Sequence, residues 1–243
     1  MSFPTFYIPP EQISGDTAIM TGDELRHART TLRLGLGDQV RLVDGVGGSL
    51  DARFRTVGKG QALLDILARF TEPEPTFALT IAMGIVKGER FDWAIQKATE
   101  LGASAFIPLV TERTEGKVGR PWKRIDRLQR VVISACKQCG QARFPVLHEP
   151  LHLTDLDPYT FDLAITFWEG SWTRPLTEMK KTAPSPGSCL MVVGPIGGLS
   201  SDEAKMLKNR GFFLAGLGPR ILRTETAIAA GAALLQYLFG DMK

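Results

Sequence analysis

The sequence predicts an α/β protein in which a mainly parallel sheet with helices, over residues 79–243, follows a small β-rich domain over 1–70 and a linker at 71–78. Three observations predict it. From Leu79 onward, apolar strand-like runs alternate with helix-period patterns, the arrangement that builds a parallel sheet between helical layers. Before residue 70, short apolar runs are separated by glycine turns. Between the two lies "TEPEPTFA", with two prolines and no periodicity.

Within the first domain, "GDELRHARTTLRL" reads as a helix carrying Arg26, Arg29 and Arg33 at spacings of three and four, hence on one face. Strands are expected at 39–43 ("QVRLV"), 50–57 ("LDARFRTV") and 61–68 ("QALLDILA"), divided by Asp44-Gly45, Gly47-Gly48 and Gly58-Lys59-Gly60. In the second, "LTIAMGIV" (79–86) is a strand. "FDWAIQKATELG" is a helix with Phe91, Ala94, Ile95 and Ala98 on one stripe and Gly102 as its stop, and "AFIPLV" is the next strand. A basic helix over 122–141 precedes the buried strands "DLAITF" (162–167) and "CLMVV" (189–193). Ser200 and Glu203 form a capping box for a helix that ends at Gly211. "FFLAGL" then runs as a strand into Gly218-Pro219-Arg220, and a small-residue helix closes the sequence.

Composition narrows the function. With 243 residues, 44% hydrophobic and 23% charged, the chain has the make-up of a globular protein. No apolar run approaches the roughly 20 residues of a membrane span, and "MSFPTFYIPPEQ" lacks a basic segment followed by an apolar one, so a soluble cytoplasmic protein with no membrane partner is expected. Three cysteines do not make a disulfide framework, and "CKQC" (136–139) lies inside a helix pattern with no second pair. His27, His148 and His152 have no metal spacing, so no metal is expected. Net charge is only +3, yet Arg113, Lys117, Arg120, Lys123, Arg124, Arg127, Arg130, Lys137 and Arg143 face only Glu115 and Asp126 in 113–143, a local net of +7. That stretch, with the Arg26 helix, is a candidate polyanion surface or else a solvated helix face.

Two strands of the C-terminal half end in Gly-Pro: Val193 into "GPIGG" and Leu217 into "GPR". In open α/β sheets ligands sit beyond the carboxyl ends of strands, where glycine lets backbone approach them closely. Neither loop has the glycine pattern of a dinucleotide fold, and no Walker lysine is present. Arg220 and Arg223 precede the last helix, placed to meet a phosphate or a developing negative charge. Thr224 is a candidate cap and Glu225 falls in the first helical turn. A simpler reading has Thr224 and Glu225 capping and one arginine paired with Glu225.

Taken in order, "GDELRHARTTLRLGLGDQVRLVDG", "KGERFDWAIQKATELGASAFIPLVTERT", "WKRIDRLQRVVISACKQCGQARFPVL", "VVGPIGGLS" and "GFFLAGLGPRILRTETA" resemble the RsmE family of ribosomal RNA uracil-N3 methyltransferases, of the SPOUT class. The resemblance covers nearly the whole chain. It implies an N-terminal PUA-like RNA-binding barrel, a deep trefoil knot in the α/β domain, a homodimer, S-adenosyl-L-methionine as methyl donor, and 16S ribosomal RNA or the small subunit as partner. By motif the cofactor site falls on Phe167, Trp168 and Glu169, on Val193, Gly194, Pro195, Gly197 and Gly198, and on Leu217, Gly218, Ile221, Leu222, Arg223 and Thr224. RNA contacts are implied for Arg26, Arg29, Arg33, Arg113, Arg124, Arg127, Lys137, Gln138 and Arg143. Ile196 stands where the family pattern has glutamate, and Gln141 where it has arginine.

The implied chemistry holds N3 of a uridine in line with the methyl donor. N3 lies on the Watson–Crick edge, so the base must be unpaired or extruded. Arg223 is the catalytic candidate, stabilising the developing imidate charge; Glu225 is a candidate base and equally a capping residue. A non-catalytic RNA-binding adaptor and an enzyme using another nucleotide cofactor are the competing readings.

Overall fold

The computed structural model describes residues 3–115, 118 and 122–242. It divides into two compact units: residues up to 74 with 133–144, and 75–132 with 145 onward. Lys117 and Arg120 of the basic stretch lie outside the described residues.

The first unit is built on one six-stranded sheet of β1 (Thr5–Tyr7), β2 (Ile13–Ser14), β3 (Thr17–Thr21), β4 (Gln39–Val43), β5 (Gly48–Val57) and β6 (Gln61–Thr71), in the order β1-β4-β5-β6-β3-β2. β1 joins β4 in parallel and the other neighbours are antiparallel. Alternation does the sorting: β3 turns Ala18 and Met20 inward, β5 Leu50, Ala52 and Phe54, and β6 Ala62 and Leu64, around Phe6, Ile8, Leu25 and Leu42. Two register shifts between β5 and β6 mark bulges, which bend and twist a strand pair. The Glu72 carboxylate accepts the backbone N–H of Ala142 (2.7 Å) and Arg143 (2.8 Å), which fastens 142–143 to the end of β6.

One expectation here is corrected. The segment 22–34 is not a single α-helix. Helix α1 (Gly22–Arg26) passes into a π-turn over His27–Thr31, and Arg33 lies beyond it with φ 56°. The wider turn, with Leu32 N–H bonded to His27 C=O at 3.2 Å, breaks the 3.6-residue phase. Arg26, Arg29 and Arg33 therefore do not form one helical stripe.

In the second unit every strand pair is parallel: β7 (Ala78–Gly84), β8 (Ala103–Val110), β9 (Val146–Leu147), β10 (Leu151–His152), β11 (Leu163–Phe167), β12 (Ser188–Val193) and β13 (Phe213–Ala215). Their order is β10-β8-β7-β12-β11-β13, with β9 also on β8. Strands β7, β11 and β12 are buried almost throughout, as central parallel strands must be. The helices are α2 (Glu89–Glu100), α3 (Ile125–Cys139), the short α4 (Met179–Thr182), α5 (Ser201–Asn209) and α6 (Thr224–Phe239). The unit boundary falls inside α3.

Helix α2 buries the stripe Phe91, Ala94, Ile95 and Ala98. The capping box of α5 is present in both directions, Glu203 N–H to Ser200 Oγ at 3.2 Å and Ser200 N–H to Glu203 Oε2 at 2.9 Å, a device contributing about 1 kcal/mol. Helix α6 packs on α2, β7 and β12 through Ala227, Ile228, Gly231, Ala232 and Leu235. Its start corrects a second expectation: Arg223, in extended conformation, occupies the cap position, and Thr224 is already helical and buried. No side chain caps this helix.

Candidate functional site

Because all strands of the second unit run parallel, β11, β12 and β13 deliver their carboxyl ends to one edge, and the three expected loops emerge together. An open cleft lies there, walled by the loops after β11 and β13. The loop after β11 supplies Phe167, Trp168, Glu169 and Thr173 to its wall. The loop after β13 supplies Gly216, Leu217, Gly218, Arg220, Ile221 and Leu222, and α6 supplies Ala227. Gly218 has φ 96°, a conformation that side-chain-bearing residues avoid, so the turn over the cleft depends on glycine.

Phe167, Trp168, Glu169, Leu217, Gly218, Ile221 and Leu222 are thus brought around one cavity, while Val193, Gly194, Pro195, Gly197, Gly198, Arg223 and Thr224 do not line it. The GPIGG loop stands directly behind Glu169: a Cβ on Gly198 would lie 2.7 Å from Glu169 Oε1. That loop closes on itself through Gly198 N–H to Pro195 C=O (2.8 Å) and is braced from outside by the Arg113 guanidinium, which donates to Gly197 C=O. Glu112 N–H donates to Glu203 Oε1 at 2.8 Å, which ties the loop after β8 to the first turn of α5. Thr173 and Ala227 were not legible as wall residues, since only the folding back of the β11 loop and the packing of α6 place them there.

The charges of this edge differ from one expectation. Arg220 and Arg223 are exposed, and neither side chain makes an ion pair or hydrogen bond among the described residues. Glu225 pairs with neither arginine; its Oε2 is buried without a hydrogen-bond partner. Arg223 stands at the cap in extended conformation, and Glu225 lies in the first turn of the helix.

The implied RNA contacts divide into engaged and open cations. Arg124 donates to Val86 C=O (3.0 Å) and Gly88 C=O (3.2 Å), lies 3.5 Å from Asp92 and covers the rings of Phe91 and Trp122. Arg127 pairs with Asp92 at 2.5 Å. Lys137 is held by Glu24 (2.7 Å) beside Phe6, and Arg143 by Glu74 (2.8 Å). Arg26 pairs with Asp23 in solvent, where such pairs contribute little, and Arg29 donates to Gly58 C=O at 2.8 Å. Gln138 and Arg130 of α3 are exposed, as are Arg33 and, in the turn before α3, Lys123, and no ion pair engages Arg33, Lys123 or Arg130 among the described residues.

The "CKQC" pair is split by α3. Cys136 is buried and Cys139 exposed, and burial pushes the Cys136 thiol far up, as it does Cys189. Among the described residues no three His, Cys, Asp or Glu side chains converge on a metal-sized point, and no helix is long and apolar enough to cross a membrane.

A family profile described as an RNA methyltransferase domain matches residues 72–236, and one described as an RNA methyltransferase PUA domain matches 20–67. The chain is 32% identical to ribosomal RNA small subunit methyltransferase E of Mycobacterium bovis, over 92% of this chain and 87% of that one. It is 30% identical to the Bacillus subtilis protein of the same name, over 91% and 90%. Among solved structures, ribosomal RNA small subunit methyltransferase E of Neisseria gonorrhoeae, bound to S-adenosyl methionine, superposes with a TM-score of 0.88 at 31% identity, covering 99% of this chain and 100% of that one. A methyltransferase of Legionella pneumophila, in complex with the same cofactor, gives 0.89 at 28% identity over the full length of both.

Proposed function

The chain belongs to the family of ribosomal RNA small subunit methyltransferase E, and from that premise we propose that it transfers a methyl group from S-adenosyl-L-methionine to N3 of a uridine in 16S ribosomal RNA. It is an rRNA methyltransferase with a PUA domain joined to a SPOUT-type α/β domain. The observation that carries the reading is the cleft where the loops after β11 and β13 meet. The deep trefoil knot, a homodimer and a cytoplasmic location belong to the same proposal.

The residues present fit the cofactor. Phe167, Leu217, Leu222 and Ala227 offer apolar walls for a flat base, and the backbone around Gly216 and Gly218 is open to approach. Glu169 offers a carboxylate to a ligand that carries positive charge and hydroxyl groups. Bound there, the cofactor supplies an activated methyl group on a cationic sulfur. The chain supplies position and charge. Arg220 at the rim and Arg223 beside it are open guanidinium groups, available to the oxygens of a uracil whose imide proton is leaving. Glu225, in the first turn of α6, is the nearest carboxylate in sequence for that proton.

The test is to incubate the protein with radiolabelled S-adenosylmethionine and small ribosomal subunits lacking the modification, then to identify the labelled nucleoside by mass spectrometry. N3-methyluridine is expected, together with a stop to reverse transcription at that base, because N3 methylation removes Watson–Crick pairing. Label in any other nucleoside, or none, contradicts the proposal.

A further inference from the structure

The loop after β11 carries a second tryptophan that the cleft does not use. Trp168 forms part of the cleft wall, with its indole N–H donated to Leu199 C=O at 3.3 Å. Its ring lies so close over Gly170 that a Cβ there would sit 2.0 Å from Cη2. The loop therefore doubles back and sets Trp172 on Trp168, with ring centroids 5.4 Å apart and planes tilted by 39°. Trp172 remains 42% exposed. Lys208, from α5, places its ammonium 5.8 Å from the Trp172 ring centroid, and Lys205 is exposed one turn earlier on the same helix.

A single exposed apolar side chain is ordinary on a protein surface. This one is different in its support: it rests on a fixed indole of the cleft wall and has a cation beside it. An exposed aromatic ring next to cationic side chains is how single-stranded nucleic acid is held, by base stacking and phosphate attraction together. The chemistry of the cleft supplies the need, since a uridine drawn out of its stack leaves the adjoining base without a neighbour. We propose that Trp172 is a stacking shelf for the nucleobase adjoining the target uridine, with Lys208 attracting the phosphate between them. The proposal rests on the methyltransferase reading of the cleft. It adds an RNA contact that neither the basic stretch nor the Arg26 segment contains.

The test compares Trp172→Ala and Trp172→Phe with the wild type, using a fluorescein-labelled oligouridine as the RNA probe and calorimetric titration for S-adenosylmethionine. Trp172→Ala is expected to weaken RNA binding by at least about fivefold, the lower end of one lost base–aromatic stack. Trp172→Phe should retain most of the affinity, and cofactor affinity should be unchanged in both. Unchanged RNA affinity in Trp172→Ala overturns the proposal. So does an RNA loss that is equal in Trp172→Phe and accompanied by weaker cofactor binding, since the ring would then only prop the loop. The two readings fail separately. A wild type that binds RNA through Trp172 but transfers no methyl group sinks the activity and leaves the shelf. One that transfers methyl while Trp172→Ala binds RNA normally does the reverse.

Discussion

Gly231 and Phe167 meet face to backbone: a Cβ added to Gly231 would stand 2.4 Å from Cε2 of the Phe167 ring and 2.9 Å from the sulfur of Met191. The small residues of α6 are thereby explained. They let the helix lie directly on β11 and β12, and Phe167 is both the last residue of β11 and a wall of the cleft.

Two effects compete in Gly231→Ala. Helix propensity favours alanine by about 1 kcal/mol, whereas forcing a methyl into an occupied core typically costs about 1–3 kcal/mol. Approaches of 2.4 Å and 2.9 Å are closer than real Cβ contacts, so both the ring and the sulfur must shift, and the second effect wins. Urea unfolding of the variant should show net destabilisation, with weaker cofactor binding because Phe167 is displaced. A variant more stable than wild type would refute this packing.

Arg113 was expected at the RNA surface, yet its guanidinium holds the carbonyl of Gly197 in the loop behind Glu169. Arg113→Ala should therefore weaken S-adenosylmethionine binding by about three- to tenfold, in keeping with one partly exposed charge-assisted hydrogen bond. Arg113→Lys should not restore it fully, since an ammonium lacks the planar fork. Calorimetry on the RNA-free protein measures this directly. Unchanged cofactor affinity would return Arg113 to the RNA alone.

Much of this was legible because its causes are local. The Ser200–Glu203 box, the strand at 39–43 and the glycines after Val193 and Leu217 each declare themselves within a few residues. What was not legible depends on distant partners. Strand β1 sits among prolines and is a strand only because Thr5–Tyr7 pairs with Arg41–Val43. The π-turn at 27–31 has the same apolar spacing as a helix and differs in its hydrogen bonds. The basic stretch looked uniform, but acids from elsewhere in the chain, Asp92, Glu24 and Glu74, hold several of its cations.

That division changes which charges to remove. Arg124 and Arg127 serve the structure around Asp92, so their loss would mix unfolding with binding. Lys123, in the turn before α3, and Arg130, on α3, are exposed without ion-pair partners among the described residues. Lys123→Ala with Arg130→Ala should leave stability within about 0.5 kcal/mol and reduce the salt slope of RNA binding by about 1–2. If the slope is unaltered, these two cations do not meet phosphate.

The three thiols should separate by burial. Iodoacetamide is expected to label Cys139 in the native protein and to reach Cys136 and Cys189 only on unfolding, because burial holds both thiols well above the usual cysteine range and keeps them protonated. Peptide mapping reads the result. Rapid native labelling of Cys136 would mean that α3 opens readily around that residue.

The most direct measurement is the single-turnover rate of methyl transfer by Arg223→Ala, with cofactor and small ribosomal subunits both saturating. Arg223 is exposed, pairs with no carboxylate among the described residues and stands at the cap of α6, next to Leu222 of the cleft wall, and the proposed role assigns its charge to the uracil imidate. Losing one group that stabilises the developing charge lowers a rate by roughly 10² or more. The expected result is a fall of that size, with cofactor affinity nearly unchanged and N3-methyluridine still the product. A rate close to wild type at saturation would contradict the catalytic role of Arg223.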